Sequence, residues 1–397
     1  MLRSMYSGIS GMKNFQTKLD VIGNNIANVN TAGFKKGRVT FKDTMNQTIS
    51  GASAAQANRG GKNPMQVGLG STMATIDTIH TQSSLQTTGR SLDLAVNGDG
   101  YFVVKQGDAE FYSRAGNMYL DNDGNLVNAD GYKVQAFKMD PATGQVTNNY
   151  GDVTVNVNAV MSATPTDTAK IAGALSEKAT NNTDYIQQIE VVDSDGETHK
   201  VELKFTKQSA TQWKVTGNGA TVGAGADTIT FDAAGKASPA ALNWSLTADG
   251  KTINAAVDLK DLVQSGNQST ALVTPNGNSE GSLESFNIGQ MGEINGVYSN
   301  GLVTTLGQVA LAKFSNPSGL TKAGGNLFQQ SINSGTPNIG TPGDGLGTIA
   351  AGSLEMSNVD LSEEFTEMIT AQRGFQANTR IITTSDEILQ ELVNLKR

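Results

Sequence analysis

From Met12 onward, the apolar residues Met12, Phe15, Leu19, Ile22, Ile26 and Val29 follow one another at steps of three, four, three, four and three. That is a seven-residue period along one face of a helix. Near the other end, Leu361, Met368, Phe375, Ile382 and Leu389 recur every seventh residue. Phe365 extends this stripe, and Ile381, Ile388 and Leu395 widen it. Asp360 with Glu363 three residues on reads as a capping box that opens the second helix. That helix is expected to run from about Leu361 to about Leu395, roughly 50 Å at 1.5 Å per residue. The first should stop between Asn28 and Gly33, where turn formers gather. Gln372, Thr379 and Asp386 are expected at the alternating polar places of the seam, where such residues fix register and partner at a cost in stability. The two stripes need a surface to bury against. Pairing with each other as a coiled coil, and with copies from neighbouring molecules, is the simplest solution. An ordinary helix pair in a globular core would show the same pattern.

Between the helices the period changes to two. Met73, Thr75, Asp77 and Ile79 alternate. Leu92–Val96, the turn Asn97–Gly100 and Tyr101–Val104 read as strand, tight turn, strand. Met118–Leu120, Asp121–Gly124 and Leu126–Val127 repeat the arrangement, and Tyr132–Lys138 adds a strand. Further on, Ile186–Val192 and Lys200–Phe205 form a hairpin through Asp193–Gly196. Short strands follow near Gln212–Thr216, Thr228–Phe231, Asn243–Thr247 and Thr252–Val257. Val309–Phe314 and Asn326–Gln330 return to the first pattern. The predicted fold is mainly β with long terminal α-helices that pair as a coiled coil, plus two nested antiparallel β domains of barrel or sandwich type. Residues 1–35 with 358–397 form a helical assembly domain, 36–70 an extended connector with little core, 71–140 with 285–357 the first β domain, and 141–284 an inserted outer β domain.

Composition narrows the function. The hydrophobic fraction of 37%, aromatic fraction of 6% and 45 glycines suit a β-rich protein with a polar surface and many turns. A charged fraction of only 17%, with recurring strand patterns, argues against general disorder. At a net charge of −8, with no basic run beyond Lys35-Lys36-Gly37-Arg38, no nucleic-acid partner is expected. No apolar run is long enough for membrane insertion. The chain has no cysteine, which excludes disulfides, thiolate chemistry and cysteine metal sites. The opening residues lack the apolar stretch of a secretory signal, so a different export route is expected.

Candidate chemistry is sparse. His80 and His199 stand in no ligand-like spacing. The segments Asp121–Gly124 and Asp193–Gly196 look like pieces of calcium loops but lack the full spacing, and hairpin turns explain them better. Gly217–Gly223 is glycine-rich without the dinucleotide fingerprint. No catalytic, metal or cofactor site is expected.

Four motifs in order carry a resemblance. They are Ile26-Ala27-Asn28-Val29-Asn30-Thr31-Ala32-Gly33-Phe34-Lys35, then Leu92 to Val103, then Ser113-Arg114-Ala115-Gly116-Asn117 leading into Asp121–Asp130. The last joins Ser357-Asn358-Val359-Asp360-Leu361 to Met368 through Asn378, including Gln372 and Arg373. Together they resemble the bacterial flagellar rod and hook protein family over about half the chain. The segment 141–284 is similar to the inserted outer domain of the hook branch, whereas the distal rod branch is shorter. The resemblance implies an extracellular flagellar subunit that stacks helically with itself into a hollow, curved tube, with terminal helices inside and β domains outside. The implied partners are the distal rod protein, the hook cap protein, the hook–filament junction protein, the flagellar type III export apparatus and the hook-length control protein. Phe41 and Met45 match the Phe-x-x-x-apolar element of early export substrates; a packing role for Phe41 would explain it equally. A straight rod subunit and a secreted β-rich binding protein, with Trp213, Trp244 and Tyr185 around a pocket, are the alternatives.

Overall fold

The computed structural model describes residues 2–54, 59–140, 145–156, 160–217, 220–222, 227–239, 241–248 and 251–395. Asn218, Gly219 and Gly223 of the glycine-rich stretch lie outside the described residues. The chain is mainly β with a helix at either end, α1 (Leu2–Ala27) and α2 (Leu361–Asn394). It divides into two compact units, Met1–Val155 with Asn287–Asn295 and Thr305–Arg397, and Asn156–Phe286 with Gly296–Thr304.

In the first unit the central strand Tyr101–Gln106 pairs with Ala109–Ser113, Lys133–Met139 and Leu311–Lys313, all antiparallel. Its inward residues Tyr101 and Val103 meet Tyr112, Phe314 and Phe328 in an aromatic core. The Tyr112 and Phe314 rings stand edge to face at 4.7 Å. The expected hairpin of Leu92–Val96 with Tyr101–Val104 does not form. Strand Leu94–Asn97 pairs instead with Thr348–Ala351. Gly98 and Gly100 both adopt positive φ, at 105° and 144°, so the turn becomes a corner that sends the two strands into different ladders.

The expected connector 36–70 is extended and has little core, but it is paired. It folds into antiparallel ribbons, Gly37–Asp43 on Ser71–Thr78 and Asn46–Ser50 on Met65–Gly68. The second ribbon is exposed along both strands. With no buried face, no alternation was there to read. The boundary expected at 141 moves as well. Strand Val146–Asp152 pairs with Lys133–Met139 in the first unit, held by Gln135 Nε2 donating to Asp152 Oδ1 at 2.7 Å. Gly296–Thr304, expected in the first β domain, joins the second unit, where Asn300 Nδ2 donates to Ser279 O at 2.9 Å.

The second unit is built mainly on a ten-stranded sheet among the described residues, with Val160–Met161 and Gly281–Ile288 paired outside it. The outer strands of that sheet are Asp184–Val192 and Leu272–Pro275, and the sheet curls until they meet through side chains. The Tyr185 hydroxyl donates to Ala271 O at 2.9 Å, and Val273 N–H donates to Gln187 Oε1 at 3.0 Å. The result is a barrel without a closing backbone ladder. One pairing, Thr168–Leu175 with Lys251–Gln264, is parallel. Trp213 and Trp244, weighed above as pocket walls, are buried in its core with Leu203 and Phe205.

A recurrent local rule shapes both units. In Asp121–Gly124, Asn128–Gly131, Asp193–Gly196 and Asp232–Gly235, the first side-chain oxygen accepts from the amides two and four residues on. The closing glycines sit at φ of 79°, 81°, 87° and 75°. These are Asx-capped turns, which accounts for the calcium-like spelling without an ion.

Candidate assembly interface

The terminal helices lie antiparallel. A Cβ at Gly8 would touch Ile382, one at Gly11 would lie 2.9 Å from Asn378 Nδ2, and one at Gly374 would lie 2.6 Å from the Phe15 ring. Lys18 Nζ meets Glu367 Oε2 at 3.0 Å further along. The helices therefore approach closely where glycine removes bulk, and Phe15 fills the hollow left at Gly374.

On α1 the seam residues Met12, Phe15, Leu19, Ile22 and Ile26 are buried or half-buried. Val29 lies beyond the last helical residue, Ala27, in the turn that follows. On α2, Met368, Phe375, Ile382 and Leu389 are half-buried, but Leu361 and Phe365 are exposed. The polar places also differ from expectation. The residues that alternate with the Phe375 row toward α1 are Glu364, Ala371, Asn378 and Ser385; Gln372, Thr379 and Asp386 are exposed, and of these Thr379 reaches α1, its hydroxyl donating to Met12 Sδ at 3.7 Å. A seven-residue row has one flanking row three residues on and another four residues on. Here α1 takes the three-residue side, where Ala371 and Ser385 are small. Asn378 and Ser385 satisfy themselves within the helix, donating to Gly374 O at 3.0 Å and Ile381 O at 2.7 Å. Gln372 and Arg373 face solvent.

The motif residues sit where the two helices join the β structure. Asn28 Nδ2 donates to Asn24 O at 2.9 Å, and Thr31 Oγ1 donates to Asn28 Oδ1 at 3.1 Å, closing α1. Asn30 is exposed. Gly33 has φ of 72°, and a Cβ there would lie 2.5 Å from Ala115 N. Its amide donates to Glu355 O at 2.8 Å. Phe34 is buried under the Lys322 ammonium, 5.0 Å from the ring centroid. Asn358 clips the two ends together, accepting from Lys36 N–H at 2.7 Å and donating to Ile79 O at 2.8 Å. Asp360 caps α2 through Ser362 N–H at 2.8 Å. The reciprocal half of the expected box is absent, because the Glu363 carboxylate reaches Lys36 at 2.7 Å instead. Phe41 rests 6.5 Å from Phe15 between centroids, and Met45 is 80% exposed.

Sequence reading missed the centre of this joint. Lys35 and Glu355 are buried and paired at 2.6 Å, and Arg114 Nη1 reaches the other Glu355 oxygen at 3.3 Å. Lys35 also donates to Thr81 O at 2.8 Å, and Arg114 to Gly98 O at 2.8 Å. Burial, above all, pushes the Lys35 pKa down, and the Glu355 pair opposes it. His80 is half-buried beside Tyr101, with 2.8 Å from Nδ1 to the hydroxyl. Burial first, then Lys35, Lys322 and Arg114, push it down to about 4. His80 is therefore neutral at physiological pH. Nothing in the local spelling separates Lys35 from the exposed cations around it; only its place after the buried Phe34 hints at the interior.

Carboxylates and a histidine also gather in the second unit, where Asp193, Glu197 and His199 bring ligand atoms within 4.8 Å of one another. Lys251 already supplies the cation. Its ammonium lies 2.8 Å from Asp193 and 2.7 Å from Asp195, and with His199 it holds the Asp193 carboxyl well below the usual range.

Three family profiles match the chain. They are flagella basal body rod protein at residues 5–35, flagellar hook protein FlgE/F/G D1 domain at 95–163, and flagellar basal body rod FlgEFG protein C-terminal at 350–395. The flagellar basal-body rod protein FlgG of Bacillus subtilis is 41% identical, with all of both chains covered. The flagellar hook protein FlgE of Borreliella burgdorferi is 40% identical, again over all of both. The chain belongs to the bacterial flagellar hook and rod protein family. Another family member, the hook protein FlgE of Escherichia coli, is 34% identical over 98% of each chain. The Helicobacter pylori flagellar hook protein FlgE2 shares the fold, with a TM-score of 0.55 and 14% identity over 68% of this chain and 100% of that one. The profiles at the two ends take in nearly all of both helices, with Lys35, Glu355 and Asn358 of the joint, and the middle profile takes in Arg114.

Proposed function

We propose that the chain is a structural subunit of the flagellar hook, polymerising with its own copies into a hollow, curved tube on the outside of the cell. The tube would carry torque from rod to filament and form part of the export channel. No catalytic step enters this reading. The observation that carries it is the apolar surface left on α2 after α1 has docked. Leu361, Phe365 and Ile369 form one exposed row, and Ile381, Ile388, Leu392 and Leu395 form another near the far end. Such rows are costly in water and suit packing against neighbouring helices. Exposed Gln372 and Arg373 would give those contacts register. A stiff helical inner layer would carry torque, while polar outer surfaces could exchange wet contacts as the tube bends.

The partners in this reading are other copies, the distal rod protein, the hook cap protein, the hook–filament junction protein, the type III export apparatus and the hook-length control protein. Phe41 and Met45 would serve export before assembly. A straight rod subunit is the second reading, favoured by the end-to-end match to the Bacillus rod protein. The matches named as hook proteins and the hook-protein fold weigh against it.

Electron microscopy of the purified chain under polymerising conditions tests both, with curved tubes expected for a hook and straight ones for a rod. Ile369→Asp places a charge on an exposed position and should stop assembly without changing the monomer's circular dichroism. Phe375→Asp should stop assembly and also loosen the helix pair. Tubes formed by both variants would overturn the proposal.

A further inference from the structure

The fourth residue of α2 places a carboxylate in the helix seam. Glu364 is only 5% exposed. Among the described residues its one side-chain donor is Asn25 Nδ2, which lies 3.2 Å from both carboxylate oxygens. Asn25 is itself fixed by Gly37, donating to its carbonyl at 2.9 Å and accepting from its amide at 2.9 Å. One amide proton is a meagre replacement for the hydration of a carboxylate.

The charges around Glu364 do not make up the deficit. On α1, Lys18 is engaged by Glu367; on the segment after it, Lys36 is engaged by Glu363, and Arg38 lies 3.6 Å from Asp77. On α2 itself, Glu363 and Glu367 add like charge. Lys18, Lys36, Arg38, Glu363 and Glu367 border a cavity of about 150 Å³ against Val21, Ile22 and Ile79.

From this geometry we infer that Glu364 is a proton-sensitive latch of the α1–α2 seam. Ionised, it keeps the helix pair loosely docked and α2 free to exchange partners; protonated, it lets the pair close. Burial, first of all, raises the Glu364 pKa, with Asn25 and Lys36 opposing and Glu367 and Glu363 reinforcing. The docked carboxyl therefore takes its proton more readily than the undocked one. Docking gains as pH falls, beginning above the ordinary carboxylate range and complete below it. Carboxylates held low elsewhere, such as Asp152 through Gln135, act in the opposite sense. The readout must therefore be the difference made by Glu364 alone.

The test follows the helical signal of the full chain during heating, at about pH 5 and about pH 7.5, for the parent and for Glu364→Gln. The variant should melt about 2–4 °C higher than the parent at the neutral pH, and the gap should narrow at the acid one. Fluorescence of Trp213 and Trp244, both in the other unit, checks that the remainder is folded. A variant that melts lower at both pH values overturns the inference. So do two chains that shift equally with pH, or a helical transition indifferent to pH in both.

Discussion

Replacing Glu355 with alanine is expected to remove about 3–5 kcal/mol of stability from the first unit. The reason is desolvation. Lys35 and Arg114 sit in the interior with Glu355 as their shared counter-charge. Removing the carboxylate leaves two cations with carbonyl partners and, for Arg114, the Tyr101 ring 5.2 Å away, a situation far worse than never having buried charge there. The amide of Ser83, which donates to Glu355 Oε1 at 3.0 Å, is orphaned too. The loss should appear in hydrogen exchange of strand Tyr101–Gln106 and α1 together, because the trio ties the exit of α1 to strands Leu85–Thr87 and Ser353–Glu355. Tryptophan fluorescence should unfold at its usual denaturant concentration, since both tryptophans lie in the other unit. A triple replacement of Lys35, Arg114 and Glu355 by methionine, methionine and leucine should recover much of the loss. If alanine costs less than about 1 kcal/mol, the trio is exposed to water in solution and the joint is built differently.

The trio also marks the limit of what the sequence discloses. The terminal helices were legible because their apolar rows repeat over many turns, and Asp360 at the start of α2 was legible because a cap needs one residue type in one place. The Asx-capped turns were legible for the same local reason. Which flank of the Phe375 row receives α1 was not, since both flanks obey the same period, and bulk at the facing positions decides it. Nor was the fate of Leu94–Asn97, whose partner strand begins at Thr348. Lys35 illustrates the hardest case. A lysine reads as surface unless its counter-charge is known, and here that partner stands 320 residues away.

Gly116 offers the sharpest test of how the first unit closes. A Cβ there would lie 1.6 Å from the carbonyl oxygen of Leu94 and 3.1 Å from the Phe102 ring. The crowding follows from pairing, for Leu94 N–H donates to Gly116 O at 2.8 Å and Met118 N–H reaches Leu92 O at 3.3 Å. The obstacle is backbone, and Leu94 is itself fully buried in a ladder with Thr348–Ala351, so it has no room to retreat. Gly116→Ala should therefore cost more than about 4 kcal/mol, the range reserved for a named structural fault. Gly107→Ala provides the contrast. That glycine has φ of 60°, and a methyl added there would meet nothing within 4 Å, so only the backbone penalty of about 1–2 kcal/mol should apply. Chemical denaturation followed by hydrogen exchange of strand Tyr101–Gln106 separates the two. Equal losses would mean that the Leu94–Gly116 approach is looser than described, and that this stretch leaves the unit before it unfolds.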